Sequence, residues 1–446
     1  MIQLLAARGM PVFILIWLGQ IVSLTGSGLT NFALGVWVYQ RTGSVTQFAL
    51  IFLFATIPRV IVSPLAGAVA DRWQRRWVMI IADSGAGIST LLLFLLLATN
   101  QLEVWHIYLV TITGASFSSF QWPAYNAATT LIVPKSQLTR ANGMIELGEA
   151  VPQLIAPVLA GFLLVKVQLQ GIIVIDFISF LFALVILLSI RFPNDNLKRI
   201  KTKAKSSLFK EIIDGCQYII QRKGLLGLFI FSAVTDLGLG IVQVLITPLV
   251  LSFASPAALG SIMSIGGTGM LIGSLVITMR RGSPQEINSI FIFQFLGGLS
   301  ILVAGLKTSI PLLALAAFLF FFSWPIINSS TRFIFQKKVL PDVQGRVFAL
   351  IGGLTGISYP FAYLVAGPLV DRVFEPLMSA DGLLAGSIGQ IIGIGTGRGI
   401  GLMFIVVGGL TLLITIVAYQ YSPLRFIERE LPDVITERVN FHNERL

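Results

Sequence analysis

The sequence has little of the chemistry on which soluble enzymes and metalloproteins depend. Its 446 residues include one cysteine, Cys216, and two histidines, His106 and His442. A single cysteine excludes a disulfide within the chain. Two histidines so far apart argue against a His-rich metal site and against His-based catalysis. We therefore expect no metal, no cofactor and no redox chemistry.

The sequence also lacks the G-x-x-x-x-G-K-[ST] loop with which many proteins bind ATP phosphates. This absence argues against an ATP-driven pump within one chain. No convergent set of nucleophile, acid and base residues is visible, so we do not expect an enzyme.

Charge is scarce and apolar character is high. Charged residues make up 11% of the chain and hydrophobic residues 55%, and the mean hydropathy is +0.87. A soluble protein of this length could not bury so much apolar surface. Runs such as 90–98 and 180–190 are continuous and do not alternate with polar residues. They predict membrane-spanning helices and not an outer-membrane barrel.

The apolar segments form two sets of six, each segment near the roughly 20 residues that a hydrocarbon core of about 30 Å requires of a helix. We predict spans at 12–38, 47–70, 78–98, 104–132, 141–165, 172–190, 225–252, 257–278, 287–306, 310–331, 346–370 and 399–421. The first run is too long for a cleavable signal peptide, so we expect it to stay in the mature protein.

A basic stretch separates the two sets of spans. We predict an all-α membrane protein with four regions. These are an N-terminal six-helix bundle at 1–192, a cytoplasmic linker with an amphipathic helix at 193–224, a C-terminal six-helix bundle at 225–421 and a cytoplasmic tail at 422–446.

The distribution of Lys and Arg predicts the orientation. If the amino terminus is cytoplasmic, 25 of the 31 basic residues fall in cytoplasmic segments. Basic residues are retained on that side of a membrane, so we predict both termini in the cytoplasm. The net charge of +11 then reflects topology and anionic lipid, and we expect no nucleic-acid partner.

The two halves carry an internal repeat. Residues 120–126 read FQWPAYN and residues 322–328 read FSWPIIN, with four identities at corresponding places in each half. Parallel repeats of this kind are typical of secondary transporters, whose substrate sites lie between the repeats near the middle of the membrane.

Residues 67–76 read GAVADRWQRR, which is close to the loop motif G-x-L-A-D-R-x-G-R-R of the major facilitator superfamily. The chain resembles this superfamily over essentially its whole length. Within it, 19–43, 176–180 and 397–399 are most similar to macrolide-efflux and siderophore-exporter relatives. The resemblance implies twelve helices in two pseudo-symmetric bundles and transport by alternating access.

The loop motif predicts a cytoplasmic gate, because its acid can face the positive end of a neighbouring helix while its arginines remain at the headgroups. Simple retention of basic residues on the cytoplasmic side is the alternative explanation. The corresponding segment of the second half, 273–282, has no acid, so we expect a one-sided gate. The predicted gate residues are Gly67, Asp71, Arg72, Arg75 and Arg76.

Charges inside predicted spans are candidate functional groups, since each costs about 2.5–3.5 kcal/mol at a helix centre. Arg59 and Asp236 lie near mid-membrane. They either face a central cavity, as a pair or as sites for substrate and proton, or form permanent structural pairs. Glu146 and Glu149 share one face of span five. We predict proton coupling at Glu149, and a cap or a pair with Arg140 at Glu146.

The resemblance implies that spans one, four, seven and ten line the cavity, and these spans carry unusual polarity. Aromatic faces with a few polar groups suit large amphipathic solutes, although the same residues could instead hold helices together. The candidates are Asn31, Gln121, Trp122, Tyr125, Asn126, Trp324 and Asn328, with Gln20 and Gln243 beside them.

Two departures from the efflux pattern concern coupling. Span four has no arginine, which many proton-coupled exporters of the superfamily carry there, and 156–161 reads APVLAG where the antiporter pattern is G-P-x-x-G-G. The segment 373–397 either caps the cavity or only links two spans.

We predict a monomeric exporter of amphipathic small molecules in the cytoplasmic membrane, driven by an ion gradient, namely protons. A dedicated exporter of a siderophore or other secreted metabolite is the first alternative. A uniporter, an importer or a channel is the second.

Overall fold

A computed structural model describes residues 9–190, 215–279 and 285–434. The basic part of the predicted linker, 193–214, lies outside the described residues, as does the end of the predicted tail. The sequence places the linker's amphipathic helix at 209–220, of which only 215–220 is described, and this part is helical. We keep "outer" and "cytoplasmic" for the two faces as the basic residues predict them.

The described residues form long helices that follow the predicted spans. One 52-residue helix, Leu138–Ser189, is interrupted at Gln168, whose φ is 56°, and we number its two parts separately. The helices are α1 (Met10–Thr42), α2 (Val45–Arg72), α3 (Arg75–Ala98), α4 (Val104–Ile132), α5 (138–167), α6 (169–189), α7 (Lys223–Leu251), α8 (Pro256–Met279), α9 (Glu286–Leu306), α10 (Ile310–Lys338), α11 (Pro341–Leu369) and α12 (Arg398–Gln420).

By length and composition, ten helices among the described residues could cross a membrane, with α5 and α6 counted together and α4 not among them. A continuous helix of 52 residues would be about 78 Å long, which is more than two bilayer cores. Helix α4 has 29 residues, enough to cross once. These lengths favour twelve crossings, which stay a prediction.

Local sequence explains where the first helices begin and end. Gly43 has φ 64°, a left-handed conformation that glycine adopts without strain, and it ends α1. Ser44 follows as the N-cap of α2, where its hydroxyl accepts a hydrogen bond from the Gln47 backbone N–H. The two helices are therefore joined by a tight turn.

Short helices follow α11 and α12. The segment after α11 continues through Val370–Phe374 and Glu375–Met378 and includes the short helix Ile388–Ile392, which contacts α9 and α12. The described part of the tail contains the short helices Ser422–Arg425 and Ile427–Glu430.

The buried apolar residues show which ends of the two halves are joined. At the outer face, Phe48 of the N-terminal half shares one core with Leu259 and Phe404 of the C-terminal half. At the cytoplasmic face the halves have separate cores, one around Met79 and the other around Phe335. The described structure is thus closed at its outer face.

Glycines bring the halves together there. A Cβ on Gly161 of α5 would lie 2.6 Å from the Pro256 carbonyl oxygen, and a Cβ on Gly260 of α8 would lie 2.6 Å from the Pro157 carbonyl oxygen. Such distances leave no room for a side chain, so the backbones of α5 and α8 touch in a reciprocal crossing. Helices α2 and α11 form the second contact between the halves.

Candidate functional site

A cavity of about 530 Å³ with several charged lining residues lies inside the N-terminal half, and we call it the N-cavity. All six helices of that half line it, from mid-membrane towards the cytoplasmic face. Its charged lining residues are Arg59, Asp83, Glu149 and Asp176. Three carboxyl groups and one guanidinium within the hydrocarbon region are costly, which marks this cavity as a functional site.

A chain of side-chain hydrogen bonds leads to Asp83. The Gln121 amide donates to the Gln20 Oε1 at 3.2 Å, and the Gln20 amide donates to the Asp83 Oδ2 at 3.4 Å. The Gln121 Oε1 and the Tyr125 hydroxyl are buried and have no hydrogen-bond partner among the described residues. Buried polar groups are normally satisfied, so these atoms are available to a bound solute or water.

Asp176 lies between α1, α3 and α6, and only 3% of its surface is exposed. It accepts hydrogen bonds from the Ser27 hydroxyl at 3.2 Å and the Thr90 hydroxyl at 3.4 Å. The approach depends on Gly26, because a Cβ there would lie 3.0 Å from the Asp176 Cα. Three helices therefore meet at this carboxyl group.

Arg59 and Glu149 also line the N-cavity. Arg59 is exposed and Glu149 is partly buried. No salt bridge between described residues includes either of them. Their charges are thus open to interaction with a solute in this conformation.

A second cavity of about 340 Å³, the C-cavity, lies in the C-terminal half and is closed on one side by Gln153 and Leu154 of α5. Its wall is rich in flexible and aromatic apolar side chains, with few polar groups. Methionine adapts to ligands of different shape, and aromatic rings offer broad apolar contact. The apolar wall includes Met263, Met270, Phe320, Phe321, Trp324, Tyr359 and Phe404.

The internal repeat supplies one wall of each cavity. Trp122 and Tyr125 line the N-cavity, and Trp324, the repeat partner of Trp122, lines the C-cavity. Gln243 also lines the C-cavity, where its Oε1 accepts a hydrogen bond from the Tyr363 hydroxyl at 2.8 Å.

The predicted site residues divide into two groups. Arg59, Gln121, Trp122, Tyr125 and Glu149 meet in the N-cavity, and Trp324 lies in the C-cavity. The remaining predicted residues line neither cavity: Asn31, Asn126, Glu146, Asp236 and Asn328.

The structure does not bring Arg59 and Asp236 together as a salt bridge. Asp236 of α7 instead accepts a hydrogen bond from the Thr355 hydroxyl of α11 at 3.0 Å. Asn328 donates to the Trp324 carbonyl oxygen one turn earlier at 3.0 Å, which is a local contact within α10.

Sequence reasoning missed Asp83, and it treated Asp176 only as part of a family resemblance. Both lie inside predicted spans, Asp83 in the first turns of 78–98 and Asp176 in the first turns of 172–190. The cost of a charge in a membrane, which singled out Arg59, applies to them as well, although both lie nearer to a span end. The signal was present in the sequence for both residues.

The predicted gate motif is described only in part. Gly67, Asp71 and Arg72 lie outside the residues whose side chains are described. Arg76 donates to the carbonyl oxygens of Leu187 and Leu188 at 3.2 and 2.8 Å. These carbonyls end α6, so Arg76 caps a helix of its own half.

Comparison with known proteins agrees with this architecture. The chain is 25% identical over 367 residues to macrolide efflux protein A of Streptococcus pyogenes, which covers 81% of this chain and 90% of that protein. It is 24% identical over 372 residues to the multidrug efflux pump Tap of Mycobacterium tuberculosis (strain CDC 1551 / Oshkosh), covering 81% and 87%.

Solved structures share the fold. The nucleoside transporter NupG superposes with a TM-score of 0.68 at 17% identity, covering 92% of this chain and 99% of that chain. A bacterial homologue of the human lysosomal transporter Spinster gives 0.69 at 13% identity, covering 94% and 98%. The family model of the Major Facilitator Superfamily matches residues 16–363. The chain therefore belongs to the Major Facilitator Superfamily and is a multi-pass membrane transporter of small molecules.

Proposed function

We propose that the chain exports amphipathic small molecules from the cytoplasm in exchange for protons. It acts as a monomer in the cytoplasmic membrane with both termini in the cytoplasm. The relatives named for macrolide and multidrug efflux support the direction and the class of cargo.

The observation that carries this proposal is the contrast between the two cavities. The N-cavity offers carboxyl groups and unpartnered polar atoms, whereas the C-cavity offers methionines and aromatic rings. An amphipathic molecule has one apolar body and a few polar groups, and it needs both kinds of surface. Sugars would require denser hydrogen bonding than the C-cavity provides.

The cost of charge in a membrane supports the proposal of proton exchange. A carboxylate within the hydrocarbon region is stabilised either by a proton or by the polar part of a bound solute. If the proton and the cargo compete for one carboxyl group, binding of cargo releases the proton, and binding of a proton releases the cargo. Glu149 suits this role because it lines the N-cavity without a salt bridge to any described residue.

Helix α4 carries no arginine, although many proton-coupled exporters of the superfamily have one there. Among the described residues, Arg59 of α2 is the one basic residue that lines the N-cavity. We assign to Arg59 the electrostatic role that the α4 arginine has in those exporters.

The test uses purified protein in liposomes, a radiolabelled macrolide and a trapped pH-sensitive dye. We expect saturable macrolide movement, with protons moving the opposite way, that stops when an ionophore removes the pH gradient. Macrolide movement that ignores the gradient would contradict proton exchange, and an unsaturated ionic current would favour a channel. A siderophore added as competitor tests the narrower cargo.

Two matched variants locate the coupling. Glu149→Gln is expected to lose proton-driven transport, because it removes a titratable group from the N-cavity. Glu146→Gln, one turn away on α5 and outside the cavity lining, should retain it. Equal behaviour of the two variants would contradict the role of Glu149.

A further inference from the structure

One carboxyl group joins the two halves at the outer face. Asp371 follows α11 of the C-terminal half, and its carboxylate accepts three hydrogen bonds from the start of α2 in the N-terminal half. The donors are the Ser44 hydroxyl at 2.7 Å, the Val45 backbone N–H at 3.0 Å and the Thr46 backbone N–H at 2.9 Å. A helix start has unsatisfied N–H groups and partial positive charge, which a carboxylate stabilises.

The backbones approach closely just beside this contact. A Cβ on Gly367, one turn before Asp371, would lie 2.5 Å from the Thr46 Cα. Any side chain at position 367 would therefore push α11 away from α2. Gly367 permits the approach and Asp371 bonds across it.

The sequence around this contact repeats the predicted gate motif. Residues 367–372 read GPLVDR and residues 67–72 read GAVADR, so both copies have the pattern G-x-x-x-D-R. Each copy ends its helix, and α2 and α11 run in opposite directions across the membrane. The two copies therefore lie at opposite faces.

The expectation of a one-sided gate rests on 273–282, the loop that corresponds to 67–76 by internal repeat, which has no acid. The second acid, Asp371, comes directly after α11, the helix that packs against α2. The two copies of the motif therefore lie at the ends of helices that pack against each other. They do not occupy corresponding places in the two halves.

We propose that Asp371 is a conformational latch that holds the outer face closed and opens in every transport cycle. Its hydrogen bonds join the two halves, so they break whenever the outer ends of α2 and α11 separate. The proposal requires two alternating conformations, but it does not depend on the cargo or on proton exchange.

A second carboxylate nearby offers a matched control. Glu375 accepts hydrogen bonds from the Gly397 and Ile400 backbone N–H groups at 3.0 and 3.3 Å. It therefore caps the start of α12, which belongs to its own half. The two residues have the same chemistry, but only the Asp371 contact crosses between the halves.

The test measures distances between spin labels by electron–electron double resonance, without cargo, in a Cys216→Ser background. Exposed positions serve as label sites on each half at each face. The outer pair is Gln101→Cys with Lys307→Cys, and the cytoplasmic pair is Lys135→Cys with Gln336→Cys.

We expect Asp371→Asn to raise the ratio of outer-open to outer-closed molecules roughly tenfold, which corresponds to about 1.4 kcal/mol. The outer distance should lengthen and the cytoplasmic distance should shorten. Glu375→Gln should leave both distributions as in the wild type. Ser44→Ala removes one of the three hydrogen bonds and also the N-cap of α2. The cap lies within α2 and is lost in both conformations alike, so this variant should shift the distributions less than Asp371→Asn and in the same direction.

Wild-type distributions in Asp371→Asn would overturn the latch, as would the same shift in Glu375→Gln. If Asp371→Asn does not fold, Ser44→Ala decides, and an unchanged outer distance there would overturn the latch. Macrolide transport is measured separately, so a wrong cargo would leave these distances unaffected.

Discussion

The reciprocal crossing of α5 and α8 predicts that one methyl group at Gly161 shifts the conformational equilibrium. In Gly161→Ala, the new Cβ would lie 2.6 Å from the Pro256 carbonyl oxygen and 3.1 Å from the Ala257 Cα. Both are backbone atoms, so the contact is relieved only if the helices move apart. Overpacking of this kind costs about 1–3 kcal/mol.

That cost applies only to the outer-closed conformation, where the helices touch. Alanine also favours the helix over glycine by up to about 1 kcal/mol, but it does so in both conformations and cancels from their ratio. The ratio of outer-open to outer-closed molecules should therefore rise roughly 5- to 150-fold. Gly260→Ala should raise this ratio in the same way. In the double variant the two free-energy changes should sum to less than their separate values, because both contacts lie at one crossing.

The assay is the labelling rate of a cysteine at Met263, a C-cavity residue in the outer half of α8, by a membrane-impermeant maleimide added outside. The background is Cys216→Ser with Met263→Cys. The rate should rise with the outer-open population. Gly143→Ala on the same helix α5 is the control, because a Cβ there meets nothing within 4 Å. Equal labelling rates in Gly161→Ala and Gly143→Ala would refute the reasoning.

Three further predictions concern other parts of the chain. Asp83→Asn should abolish proton-driven transport in liposomes while membrane expression is retained, because it removes a second titratable carboxyl group from the N-cavity. Unchanged transport would exclude Asp83 from coupling. Arg76→Ala should lower the free energy of unfolding by about 1–2 kcal/mol, since the α6 carbonyl oxygens lose a charged donor. A thermal melt measures this loss. If Arg76 only caps α6 and is not part of a gate, the ratio of outer-open to outer-closed molecules should stay unchanged.

Lys338, of which 3% is exposed, holds the tail through the Glu428 and Leu431 carbonyl oxygens and Asp433. Its hydrogen bond, with a smaller contribution from Lys337, lowers the pKa of Asp433 below the ordinary 3.8. The Asp433 carboxylate should therefore stabilise the docked tail fully above pH 3.8. This stabilisation should be lost as the pH falls through the lowered pKa that Asp433 has in the folded protein. Pepsin cleavage of the tail should rise over that range relative to Asp433→Asn, and parallel cleavage of both proteins would contradict the ion pair.

Most of the helix positions follow from the sequence because the hydrocarbon core fixes the length of each crossing. The predicted 104–132 matches α4, and the predicted 399–421 differs from α12 by one residue at each end. The break between α5 and α6 is harder to predict from the sequence. We predicted a gap at 166–171, but only Gln168 leaves the helical conformation, and no glycine or proline stands at that position to signal it.

The charged part of the site was partly predictable. Arg59 and Glu149 were identified by the cost of charge in a membrane, and the same criterion would have included Asp83 and Asp176. The order of the helices along the chain does not say which sides of them pack together. The division into an N-cavity and a C-cavity could therefore not be derived from the sequence. The contact between Ser44 and Asp371 joins residues 327 positions apart, and a single sequence gives no signal for such a pair.

The most direct test of alternating access follows the outer and cytoplasmic label pairs together in the wild-type protein in liposomes, while macrolide and pH are varied. Two halves that rock about the N-cavity and the C-cavity should give opposite changes, so that a longer outer distance accompanies a shorter cytoplasmic one. Distances that change independently, or a population open at both faces, would contradict the account.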